Sequence, residues 1–193
     1  FTAAYGPDAV AAMGIASTIS SVAMQIAMGG SQGIMPLIGY NYASGNVKRM
    51  KETVGFLTKL ALGFMVVCTA AMFFGARWFT LLFIQNESVV TFGAAFLQGL
   101  CLAQPFLCID FIAVGVFQSC GMGKRALLFA VLRKIILEIP ALILLDKLFP
   151  PYGLAYSQLV AELILAAAAV VMLLRIFRNL EKKNSPLEGG GPA

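Results

Sequence analysis

The chain has 193 residues, 60% of them hydrophobic and 12% charged, with a formal net charge of +5 and a mean hydropathy of +0.86. Soluble domains run at about 45–50% apolar and about 25% charged, so this composition excludes an ordinary soluble domain and indicates several membrane spans. The lack of histidine excludes imidazole metal ligands and histidine acid–base catalysis. The basic residues lie between apolar runs, which is a topology signal and not a nucleic-acid footprint.

A span needs about 20 largely apolar residues. Five segments qualify, residues 9–42, 54–74, 89–120, 126–145 and 154–174, and the predicted fold class is an all-α membrane protein. The first and third exceed the requirement, so each must tilt, bend or project from the bilayer. Residues 1–8 read as a loop, without the basic start and short apolar core of a signal peptide.

The first span ends in Gly29-Gly30-Ser31-Gln32-Gly33-Ile34-Met35-Pro36-Leu37-Ile38-Gly39-Tyr40-Asn41-Tyr42, followed by Lys48, Arg49 and Lys51. Gly29 and Gly33 form a GxxxG pair, a spacing that lets two helix backbones approach closely but is common by chance in apolar sequence. Pro36 removes a backbone hydrogen bond and favours a bend. With Gly39 these residues are candidates for helix packing and bending, and Gln32 is a candidate for the transport path. After the second span, Trp78 and Phe79 are expected in an outer loop at the interface, with residues 81–84 as a short surface helix and Asn86-Glu87-Ser88 as a turn and helix start.

The third span holds Asp110. An ionised carboxylate inside a span costs at least ~2.5–3.5 kcal/mol on insertion scales, and such groups face a wet cavity or a partner. Asp110 is the sharpest candidate for binding a coupling ion or proton; the alternative is a carboxyl bonded to a neighbouring helix. Gln118, eight residues on, is expected on roughly the same face. In the fourth span Glu138 follows Lys134 by four residues, which suits an i,i+4 pair, while Lys59, Arg133 and Lys134 sit where they could snorkel to the basic side; Arg133 could instead face a cavity or lipid head groups. In the fifth span Glu162 follows Gln158 by four and is a further acidic candidate. Several carboxyls on neighbouring helices would suit an organic cation. Met24, Met28, Met35, Phe106, Phe111 and Phe117 either line an adaptable apolar cavity or simply pack. Cys68, Cys101, Cys108 and Cys120, each placed in an apolar helix, read as small buried hydrophobes. Residues 146–153 form a tight outer turn at Pro150 and Pro151, and residues 179–193 read as a polar, mobile tail.

The loops alternate in charge. Nine basic residues lie on one side (Lys48, Arg49, Lys51, Lys124, Arg125, Arg175, Arg178, Lys182 and Lys183) against Arg77 and Lys147 on the other. The first side is therefore cytoplasmic, with the start of the chain outside and its end inside. That orientation leads us to expect at least one upstream span. Enzyme signatures such as HExxH, a P-loop or GxSxG are missing.

The run Gly30-Ser31-Gln32-Gly33-x-x-Pro36-x-x-Gly39-Tyr40-Asn41-Tyr42-x-x-Gly45-Asn46-x-x-Arg49 resembles the second helix of a lobe in multidrug and toxic compound extrusion (MATE) transporters, in the MepA-like bacterial subgroup. Phe117-Gln118-Ser119-Cys120-Gly121-x-Gly123-Lys124 resembles a second family motif, and Leu132-Arg133 with Ile139-Pro140 the helix after it. The resemblance implies twelve helices in two six-helix lobes, with residues 1–178 as helices eight to twelve of the C-terminal lobe and the N-terminal lobe as its partner. It further implies a bacterial inner-membrane antiporter, with no cofactor, that exports small cationic amphipathic drugs in exchange for H+ or Na+ by alternating access. A lipid-linked oligosaccharide flippase of related architecture and a non-transporting membrane remnant are the alternatives. A flippase would favour several basic residues inside the spans, where only Arg133 and Lys134 qualify.

Overall fold

A computed structural model describes residues 6–148 and 153–184. Helix α1 spans Pro7–Ala43, α2 Val47–Leu81, α3 Glu87–Ser119, α4 Gly123–Val131, α5 Ile139–Leu148 and α6 Gly153–Asn184. A π-helical segment, Leu132–Glu138, joins α4 to α5. Four helices are long and apolar enough to cross a membrane among the described residues, α1, α2, α3 and most of α6. The chain is a multi-pass, all-helical membrane protein.

The long helices are started and stopped by local chemistry. Pro7 and Asp8 open α1, where a missing N–H costs nothing and a negative charge meets the positive helix end. Gly45, at φ 72°, closes it. There the backbone turns so that the Asn46 N–H reaches the Asn41 carbonyl at 2.9 Å. Asn46 then caps α2 by accepting from the Arg49 N–H at 3.1 Å. The Gly-Asn-x-x-Arg part of the sequence motif is thus a helix-turn-helix joint. Asn86 caps α3 in the expected way, accepting from the Ser88 N–H at 3.0 Å.

Helix α3 is the axis of the bundle. It packs on α1, α2 and α6, and two-thirds of its most apolar window is buried, against 6% for α2. Three of its glycines admit one neighbour each. A Cβ at Gly93 would lie 2.7 Å from Thr80 of α2, one at Gly99 2.6 Å from Ala155 of α6, and one at Gly115 2.7 Å from Ser31 of α1. Gly99→Leu must push α6 outward, and overpacking of this kind costs about 1–3 kcal/mol. The variant is expected to lose thermal stability in a heating series read by size-exclusion elution. An unchanged transition would contradict this packing. Pro105 within α3 cannot donate to the Cys101 carbonyl. The Thr69 hydroxyl of α2 donates to that carbonyl instead, at 3.2 Å.

The structure corrects several expectations. Gly29 and Gly33 are exposed, and a Cβ at either would meet nothing within 4 Å. The buried face of α1 is the other one, through Ala23, Ala27, Ser31 and Ile38. Of the three glycines proposed for packing and bending, Gly39 is the one at which an added Cβ would meet another helix among the described residues, 3.5 Å from the Ser119 carbonyl. Pro36 is exposed, and α1 continues through it. Trp78 and Phe79 belong to the last turns of α2, not to a loop, and residues 82–84 form no helix, because α2 runs without a breaker to Leu81. Cys120 caps α3 instead of lying within it. The expected fourth span is not one regular α-helix. Pro140 lacks an N–H and its ring crowds the carbonyl of Ile136, and the widened π turns lie just before it. Helix α6 runs on to Asn184, past the expected boundary at 178. Residues 149–152 of the turn expected at 146–153, and residues 185–193 of the tail expected at 179–193, lie outside the described residues.

Candidate functional site

Arg133 is the centre of the site. It stands on the π segment, with its side chain 17% exposed, between Asp110 of α3 and Glu162 of α6, whose side chains are 3% and 1% exposed. Its Nη1 lies 3.6 Å from Asp110 Oδ2 and its Nε lies 3.0 Å from Glu162 Oε1. The second contact is a charge contact and not a well-aimed hydrogen bond, because the Nε–H does not point at the oxygen. The guanidinium also sits over the Phe111 ring, 5.4 Å from its centroid. The backbone on that side is pinned to α1 by the Ser31 hydroxyl, which donates to the Phe111 carbonyl at 2.8 Å.

With both carboxyls ionised, two carboxylates and one guanidinium would leave one net negative charge. Asp110 Oδ1 and Glu162 Oε2 are buried and accept from no described protein donor. In an apolar helical core such charges are tolerated only when paired, and the two open oxygens are where a proton or small cation would find acceptors. A π turn is well suited to carry its third member. Such turns are rare and concentrate at functional sites.

A second polar cluster lies along the same helices. Gln104, six residues before Asp110 on α3 and so about 9 Å away along the axis, donates from Nε2 to the Ser20 hydroxyl of α1. Its own carbonyl oxygen is buried without a described donor. Ser17, Ser20, Ser21, Gln104 and Gln158 line a cavity of about 210 Å³, and Gln158 stands one helical turn before Glu162.

The other predicted residues divide. Glu138 pairs with Lys134 at 2.7 Å, the i,i+4 contact its spacing suggested, and that pair is more exposed than the charged cluster. Gln118 is exposed and points away from Asp110, because eight residues overshoot two helical turns by about 80°. Gln32 is exposed on the open face of α1. Phe117 is core, packed edge-to-face on Phe129 with centroids 5.4 Å apart. Arg133 does not snorkel to the basic side, because two buried carboxylates hold it. The sequence left Arg133 open between snorkelling with Lys134 and facing a cavity or lipid head groups, and did not foresee its two carboxylate partners. Adjacent helical residues point about 100° apart, and only Lys134 faces outward. The cluster of Ser20 and Gln104 was also missed; the available signal was Gln104 at the midpoint of a span.

The helix order and the central, glycine-notched third helix define a lobe of a multi-pass membrane transporter fold. The family model described as MatE matches residues 1–144, and the chain belongs to the MatE family. It is 32% identical over 190 residues to "Multidrug export protein MepA" of Staphylococcus aureus, covering 98% of this chain and 42% of that protein. It is 30% identical over 184 residues to the protein of the same name from Staphylococcus saprophyticus, covering 94% and 40%. The crystal structure of the Vibrio cholerae MATE transporter VcmN in the bent form superposes with a TM-score of 0.87 at 22% identity, covering 93% of this chain and 41% of that one. The chain thus spans about two-fifths of the length of the curated relatives it matches. Those relatives are named as export proteins and not as enzymes.

Proposed function

We propose that this chain is the C-terminal lobe, helices eight to twelve, of a secondary antiporter in a bacterial plasma membrane. It exports small cationic amphipathic compounds in exchange for H+ or Na+ by alternating access, with the start of the chain outside and the lysine-rich helix ends in the cytoplasm. The observation that carries this reading is the buried cluster of Asp110, Arg133 and Glu162, which holds one negative charge in excess when both carboxyls are ionised. A single monovalent cation or proton neutralises it. Asp110, held at the longer distance and with Oδ1 open, is the looser of the two carboxylates and the one we assign to cation exchange. Neutralising it relaxes the hold on Arg133, and with it the π segment that joins α4 to α5. Repeat-built transporters place such sites near the bilayer midplane between moving elements. An anionic lipid-linked substrate is disfavoured, because both carboxylates already hold the buried guanidinium.

The test is efflux of an organic cation dye such as ethidium from vesicles containing the transporter that carries this chain. Export is expected to follow an imposed proton gradient or an imposed sodium gradient. Export indifferent to both gradients in correctly inserted protein would overturn the antiport reading.

A further inference from the structure

We infer that the cleft between α2, α3 and α6 binds an anionic phospholipid from the leaflet on the lysine-rich side of the membrane. The cleft has a volume of about 320 Å³, within the range of about 300–1,000 Å³ for small-ligand sites. Its walls are apolar, with Ile109 and Ile112 from α3 and Leu173 and Phe177 from α6. Its rim is cationic. Lys51, Gly55 and Lys59 all line it, and a four-residue spacing puts them in one row along α2, with Lys51 and Lys59 about 12 Å apart along the axis. A Cβ at Gly55 would meet nothing within 4 Å, so an open notch lies between the two ammonium groups.

That arrangement matches a phosphodiester headgroup between the lysines and an acyl chain against the apolar wall. Lys51 already touches Glu181 at 2.9 Å, but both side chains are about half exposed, 53% and 50%. Such a pair is weak, and an ammonium has three donors to share. Lys59 forms no ion pair with a described residue, although it stands beside Phe56, Leu60 and Phe64, which are large, apolar and exposed. On a lipid-facing helix an unpaired cation is best placed where it meets an anion. Basic pockets between helices near a membrane surface recognise anionic headgroups in this way. Lys48 and Arg49, exposed at the start of α2, lie outside the cleft. Lys51 and Lys59 repel a cationic drug, so the cleft differs in ligand chemistry from the carboxylate cluster. The inference depends on membrane insertion alone and not on drug export.

The test uses the purified transporter carrying this chain, equilibrated in mixed micelles of phosphatidylglycerol and phosphatidylcholine and then stripped of loosely held lipid. Retained lipid is counted by mass spectrometry. The unaltered protein is expected to keep phosphatidylglycerol in preference to phosphatidylcholine. Lys59→Gln should reduce that preference roughly fivefold, the effect of one lysine near an anionic surface, and Gly55→Leu should remove it by filling the notch. Lys48→Gln, which lies outside the cleft, should change it much less. Equal retention of the two lipids by the unaltered protein, or equal effects of Lys59→Gln and Lys48→Gln, would overturn the inference. Lys59 is exposed, so its variant decides the matter even where Gly55→Leu elutes as aggregate.

Discussion

Arg133→Leu is expected to destabilise the lobe by about 3–5 kcal/mol, because it strands two buried carboxylates that share one cation. The exposed neighbour provides the contrast. Lys134 pairs with Glu138 at 2.7 Å but is 67% exposed, and pairs of that kind contribute about 0–1 kcal/mol. The triple variant Asp110→Asn, Arg133→Leu, Glu162→Gln removes all three charges and should recover most of the loss, since a buried ionic group can be replaced by neutral side chains at little net cost. Thermal unfolding of the four proteins, unaltered, Arg133→Leu, Lys134→Leu and triple, measures this directly. Equal transitions for Arg133→Leu and Lys134→Leu would show that Arg133 does not neutralise the core.

Asp110→Asn should have the opposite profile, leaving stability nearly intact while disabling the transport cycle. Removing one carboxylate leaves Arg133 matched one-to-one with Glu162, so the core stays paired. The excess negative charge, however, is gone. Gradient-driven dye export is expected to fall roughly 5–150-fold, the range set by a coupling free energy of 1–3 kcal/mol. Dye affinity in the absence of a gradient should fall as well, because a cationic dye and the coupling cation are proposed to answer the same charge. Glu162→Gln should act in the same direction, with a larger loss of stability because it removes the closer of the two contacts to Arg133. Glu138→Gln, whose partner is the exposed Lys134, should keep export within a factor of a few. Loss of export in Glu138→Gln with retention in Asp110→Asn would move the coupling site to the other end of the π segment.

Much of this architecture was legible in the chain, for identifiable reasons. Apolar runs long enough to cross a bilayer gave the long helices, and the family motif marked the α1–α2 joint. The structure shows why that motif has its form, with Gly45 in a left-handed turn and Asn46 as a cap. Asp110 and Glu162 were legible because charge inside an apolar helix is costly and therefore conspicuous. What stayed hidden was pairing between helices. No spacing rule links residue 110 to residues 133 and 162, and the widened turns that present Arg133 follow no simple period. Within the described residues Gly29, Gly33 and Pro36 of the first helix are exposed, and the close approaches occur at Gly93, Gly99 and Gly115 of α3. A glycine in an apolar run does not reveal which way it faces until its helix has neighbours.

On the proposed mechanism, dye and coupling cation would compete for one negative charge at Asp110 and Glu162. The most direct measurement is proton release, or sodium release, when saturating ethidium is added to the purified transporter that carries this chain. The account predicts release of about one monovalent cation per chain, as the charge count of a singly compensated carboxylate pair requires, and its loss in the double variant Asp110→Asn, Glu162→Gln. Release that persists undiminished in a folded, dye-binding double variant would contradict the account and place the exchanging charge elsewhere in the transporter.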